Sequence, residues 1–281
     1  MKLSNGLEMN VELHEGLVPV DTLFIHVHLA SNTWWEPSLN IWKDHAKAFG
    51  SHAPKGKLIF AEWRGCGKTA APSNPSELHP AVLAGDYILA LRQLGVRKVS
   101  LVGHSTGGLI ALFALLQAPE LFDRAILLDP VSATGIHYDA SAVAIFTKMS
   151  QDRSFCAAVL NFAIYGNDAS RPLFQKVVDD AFGVASEVWT GIPAALGNIN
   201  ILPDLARIMQ PVLVLHGEQD KVLPIEDSKA MAAKLPRGHF EELKGQGHST
   251  NLENPELFVT LVDACLYEQP EQNTPHQDLQ N

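Results

Sequence analysis

Ser105 sits in Gly103-His104-Ser105-Thr106-Gly107, after an apolar run at residues 99–102 and before an apolar segment of helical character through Leu116. A serine hydroxyl is a poor nucleophile at neutral pH. It needs a base held beside it and an acid to orient that base. Strand, sharp turn and helix form the context that lifts such a serine to the tip of a strained elbow. Gly103 and Gly107 let backbone pass close on either side. Thr106 opens the helix, so its N–H lacks an intrahelical partner and can face a developing oxyanion. The motif alone does not separate an activated serine from an ordinary Gly/Ser loop, so the acid and the base must be sought elsewhere.

Both residue types occur later in the chain. Asp220 lies in Gly217-Glu218-Gln219-Asp220-Lys221-Val222-Leu223-Pro224, just past an apolar run at residues 211–216. His248 lies in Lys244-Gly245-Gln246-Gly247-His248-Ser249, just past a predicted strand at 239–243. Asp220 also has a plain reading as a turn residue. Asp129, which follows the run at 124–128, is a rival acid. His26, His104 and His216 read as structural, and Asp86 as a solvated charge on a helix.

The elements that must position these residues follow from the periodicity. Buried or half-buried strands are predicted over 7–14, 21–27, 57–61, 99–102, 124–130, 211–217 and 239–243. Helices are predicted over 35–49, 80–94, 106–116, 226–235 and 255–267. Between 131 and 204 there are helical patches, at 141–149, 155–164 and 173–182, and no strand. The alternation predicts an α/β fold, a mostly parallel sheet with helices on both faces, carrying a helical insertion. The core is expected from 1–130 and 205–267, the insertion from 131–204, and a disordered polar tail from 268–281. Loops at the carboxyl ends of parallel strands converge at one edge, which is where Ser105, Asp220 and His248 fall.

Composition narrows the function classes. The net charge is −10 over 281 residues, with no Lys/Arg cluster, which argues against nucleic-acid binding. Cys66, Cys156 and Cys265 are scattered and odd in number, with neither disulfide nor zinc spacing. No metal or cofactor is expected. Residues 1–6 lack the apolar core of a secretory signal, and no run reaches membrane-spanning length, so the expected location is cytoplasmic. Gly67-Lys68-Thr69 imitates the end of a phosphate-binding loop. Glu62 stands where the first glycine is required, and Pro72 and Pro75 follow where the helix should begin.

Taken together, Gly-His-Ser-Thr-Gly, the Gly-x-x-Asp-x-x-x-Pro turn and the Gly-x-Gly-His loop resemble the α/β-hydrolase superfamily over about residues 7–267. The resemblance implies Ser105 as nucleophile, His248 as general base then acid, and Asp220 as its orienting acid. It implies a cap at 131–204 and an oxyanion hole from the backbone N–H groups of Thr106 and His28. Val27, His104 and Trp34 are the expected pocket residues. One departure stands out. The family's usual His-Gly-x reads His26-Val27-His28 here, and a β-branched residue is costly if that position needs φ > 0. The expected activity is hydrolysis of a small carboxylic ester, thioester or lactone through an acyl-enzyme. On the same fold the alternatives are a C–C bond hydrolase, an aminopeptidase (Arg64-Gly65-Cys66-Gly67 resembles a loop of proline-releasing peptidases) or a serine-dependent lyase. From another class, a ligand-binding protein with little turnover remains.

Overall fold

The computed structural model describes residues 1–49 and 54–267; the predicted tail at 268–281 lies outside them. Seven strands form one sheet: β1 (Val11–Val18), β2 (Thr22–Ile25), β3 (Gly56–Ala61), β4 (Val99–His104), β5 (Phe122–Leu128), β6 (Val212–Gly217) and β7 (Gly238–Leu243). Their order is β1-β3-β2-β4-β5-β6-β7, and β1 alone runs antiparallel to its neighbour. The central strands read as nearly continuous apolar runs because both faces are covered. Side chains alternate between the faces along each strand. Leu23, Ile25, Leu101 and Leu127 enter one core with the helices α2 (Pro80–Gln93) and α3 (Thr106–Gln117). Phe24, Val102, Ile126 and Leu128 enter the other with α1 (Glu36–Phe49) and a C-terminal helix, Pro255–Tyr267. There Phe24 meets Trp35, Trp42 and Phe60 with ring centroids 5.1, 5.4 and 5.0 Å away.

The first strand is displaced from the expected 7–14 to Val11–Val18. Its extent is set by its partner. Val11 pairs with Ala61 at the end of β3, so residues before Val11 have no strand to bond, and the pairing runs on to Val18 opposite Gly56. Leu7 and Met9 are buried in the core instead.

Four helices stand between β5 and β6: α4 (Ala140–Gln151), α5 (Arg153–Ala163), α6 (Pro172–Phe182) and α7 (Ser186–Leu196). The sequence pattern does not mark α7. It holds Gly191 and an internal Pro193, both poor helix formers, and burial of Val188, Trp189, Ile192 and Leu196 holds it in place. After β6 come α8 (Ile225–Lys234), α9 (Thr250–Glu253) and α10 (Pro255–Tyr267). Among the described residues no helix is long and apolar enough to cross a membrane. Cys66 and Cys156 are buried thiols outside any disulfide.

One surface reading changes. Asp86 is not a solvated charge. It is 2% exposed, and the Arg64 guanidinium donates to its carboxylate at 2.7 and 3.0 Å. Arg64 also pairs with Glu77, so the Arg64–Gly67 loop is clamped to α2. The loop that imitates a phosphate cradle is filled by its own carboxylate. Glu62 accepts from the Lys68 N–H at 2.7 Å, the Asn32 N–H at 3.2 Å and the Asn10 amide at 2.9 Å.

Candidate active site

Ser105 bridges β4 and α3 with φ 55° and ψ −117°. This backbone region is rare and strained for a residue with a side chain, and it persists only when the surroundings enforce it. Here they do. The Ser105 N–H donates to Leu128 O at 2.9 Å, and its carbonyl accepts from Gly108 and Val131 at 2.9 and 3.0 Å. The flanking glycines are required by space. A Cβ on Gly107 would collide with Ile25 O, and one on Gly103 with the carbonyl of Gly107.

Across the sheet edge, β6 ends at Gly217 and β7 at Leu243, paired with each other. The loops beyond them carry Asp220 and His248. The His248 Nδ1–H donates to Asp220 Oδ2 at 2.8 Å. A carboxylate only accepts, so this bond leaves the other ring nitrogen, Nε2, with its lone pair free. Asp220 Oδ1 accepts from the Val222 and Leu223 N–H groups at 2.6 and 3.1 Å. Burial opposes ionisation of Asp220, but the hydrogen bond and charge of His248 and those two N–H groups outweigh it and hold its pKa below the usual value.

His216, read from the sequence as structural, and Asp129, the rival acid, pack around this pair. His216 Nε2 lies 3.3 Å from Asp220 Oδ2, and its Nδ1 is 2.8 Å from Ser228 Oγ. With Nε2 donating, the serine hydroxyl donates to Nδ1, which fixes the tautomer. Asp129, the rival acid, accepts the Gly217 N–H at 2.8 Å. Its other oxygen is buried without a partner among the described residues. Burial and the charge of Asp220 push its carboxyl well above the usual range. His104, Asp129 and His248 each place a ligating atom within 4.8 Å of the others, as do Asp129, His216 and Asp220.

Both Ser105 and His248 line an apolar cavity of about 570 Å³ under the four-helix insertion. Val27, His28, Trp34 and Thr106 share that lining, with Phe146, Phe155 and Leu160 from α4 and α5. His104 does not. It is fully buried and lies behind His248, donating from Nε2 to the His248 carbonyl at 2.7 Å. Its expected place in the pocket wall is therefore corrected: it supports the loop that carries His248. Strand geometry decides this, because His104 is still paired with Leu128 in the sheet. Trp189 is buried in the core.

The Val27 departure resolves locally. Among the described residues the positive φ in this loop falls at Leu29, 56°, and not at Val27. His28 is held from the insertion, its Nε2–H donating to Val188 O at 3.1 Å. Its backbone N–H has no protein partner among the described residues. Burial drives the His28 pKa down to about 4, so the ring is neutral at physiological pH.

His104 and His26 are fully buried, and burial lowers each pKa to about 3. The sign follows from linkage. The unfolded chain titrates near 6.5 and binds more protons between the two values, so stability falls as pH drops through that window. One such histidine costs about 2 kcal/mol at pH 5 relative to pH 8. Asp129 acts with the opposite sign, so the expected result is differential. His104→Gln, which keeps a donor for the His248 carbonyl, loses about 2 kcal/mol less than the parent between pH 8 and pH 5. Urea unfolding at the two pH values measures it, and equal losses would contradict the buried, neutral imidazole.

The model of the alpha/beta hydrolase family matches residues 29–261. The chain belongs to the alpha/beta hydrolase family. It is 28% identical over 241 residues to a protein of Agrobacterium fabrum provisionally named carbamate hydrolase RutD, covering 83% of this chain and 87% of that one. It is 25% identical to 3-oxoadipate enol-lactonase 2 of Acinetobacter baylyi, covering 82% and 84%. In fold it is similar to an esterase from Exiguobacterium antarcticum, with a TM-score of 0.82, 22% identity and coverage of 95% and 98%. Within this alpha/beta hydrolase the elbow, the acid turn and the histidine loop occupy the carboxyl edge of one sheet.

Proposed function

We propose that this alpha/beta hydrolase is a serine hydrolase of carboxylic esters, thioesters or lactones, acting through an acyl-enzyme. Ser105 is the nucleophile, His248 the proton carrier and Asp220 the residue that orients it. The observation that carries the reading is a strained Ser105 opening into the same apolar cavity as His248, while the His248 Nδ1–H is already committed to Asp220 at 2.8 Å. His248 Nε2 takes the Ser105 proton as Oγ bonds to the substrate carbonyl carbon. The oxyanion is received by the backbone N–H groups of Thr106 and His28. On collapse the C–O or C–S bond breaks and the leaving group takes the proton from Nε2. Water then repeats the sequence on the acyl-serine and releases the acid.

The likeness to an enol-lactonase and an esterase supports the ester and lactone class. The insertion at 131–204 acts as the cap, and its apolar wall supports an acyl or aryl arm. Arg64, committed to Asp86 and Glu77, is not free to read a peptide terminus, which weighs against the aminopeptidase reading. The test combines a fluorophosphonate probe with a panel of short esters, thioesters and lactones. Labelling of Ser105 with steady turnover is expected. Labelling without turnover would favour a binding protein, and no labelling would reject an activated serine.

A further inference from the structure

Tyr138 lines two separate spaces. On one side is the apolar cavity of about 570 Å³ that holds Ser105 and His248. On the other is an outer groove of about 710 Å³ along α7, whose lining includes Ser186, Thr190, Gly191 and Asn198. The backbone on either side of Tyr138 is fixed. The Ile136 N–H donates to Leu196 O at 3.1 Å. The Asp139 carboxylate caps α4 by accepting the Ala142 N–H at 2.9 Å. The side chain is thus the part of this segment that can turn. Its ring stands edge-on to Phe146 with centroids 5.3 Å apart, and Phe146 rests against His28 at 5.5 Å. Among the described residues the Tyr138 hydroxyl has no hydrogen-bond partner, so what the residue contributes here is volume.

The geometry points to Tyr138 as the wall that limits substrate length: the apolar arm remote from the reacting carbonyl stops against its ring, and a smaller residue joins cavity and groove into one channel. This rests on Ser105 being the nucleophile of the proposed reaction. The substrate class is an ester with a slender apolar arm of bounded length. A longer arm reaches the hydroxyl and amide groups of the groove only once the ring is out of the way.

The test compares Tyr138→Ala and Tyr138→Phe with the parent on p-nitrophenyl acetate, hexanoate and dodecanoate. A parallel series measures the rate of Ser105 labelling by methyl and dodecyl fluorophosphonates. Each further methylene buried is worth about fourfold. The dodecanoate-to-hexanoate ratio of kcat/KM should therefore rise at least about tenfold in Tyr138→Ala. Each rate is read relative to acetate, and Tyr138→Phe should keep the parent's ratio. An unchanged ratio in Tyr138→Ala overturns the inference, as does an equal change in Tyr138→Phe, which would assign the effect to the hydroxyl. Should Tyr138→Ala fail to fold, Tyr138→Leu makes the same comparison. If the parent labels but does not turn over, the hydrolase reading fails while the labelling ratio still decides the wall. If it neither labels nor turns over, both are overturned.

Discussion

Ser105→Ala is expected to lower kcat for a short p-nitrophenyl ester by about 10⁴- to 10⁶-fold, with the fold and thermal stability retained. The size of the effect follows from the role. Without Oγ no acyl-serine forms, and only binding and oxyanion contacts remain to favour attack by water. His248→Ala should fall by a similar factor, and the double variant by little more, because the two residues act as one unit. Stability should hold or rise. The strained backbone, φ 55°, is imposed by the neighbouring strands and glycines and not by the hydroxyl. The decisive measurement is single-turnover kinetics on the variant beside urea unfolding. A loss of only tenfold in a folded protein would mean that another group carries the chemistry.

Asp220→Asn is expected to lower kcat by about 10⁴-fold, while Asp129→Asn stays within about tenfold of the parent. The two acids are close in space but differ in partners. Asp220 accepts the His248 Nδ1–H at 2.8 Å, and its pKa is held below the usual value. In the proposed reaction it is the charged partner of the imidazolium. An asparagine there could donate its amide to Nδ1, trapping the wrong tautomer and leaving Nε2 protonated. Asp129 is pushed the other way by burial and by the charge of Asp220, and its firm bond is to the Gly217 backbone at 2.8 Å. Its loss should appear mainly as lower stability. The kcat pH profiles of both variants check this. If Asp129→Asn lost more than Asp220→Asn, the roles assigned to the two acids would be reversed.

The sequence alone determined what is local or periodic. Nearly continuous apolar runs such as residues 99–102, broken only by Ser100, and 211–215 announce strands covered on both faces, and 3.6-residue spacing announces the helices that cover them. Gly103 and Gly107 flank Ser105, where only backbone without a Cβ fits. That Ser105, Asp220 and His248, each just past a strand, share one edge follows from parallel strand direction. What depends on partners distant in the chain was decided by the tertiary structure. The limits of β1 are set by β3 (Gly56–Ala61). Asp86 is buried because Arg64 meets it across a loop. His104 lies behind His248 and not in the cavity because β4 stays paired with β5 through Leu128. Packing decided which acid meets His248, Asp220 accepting from its Nδ1–H at 2.8 Å, and α7 forms despite Gly191 and Pro193 because the core takes up its apolar face. Spacing along the chain records which groups can share an edge. Distances between elements are fixed only when side chains pack.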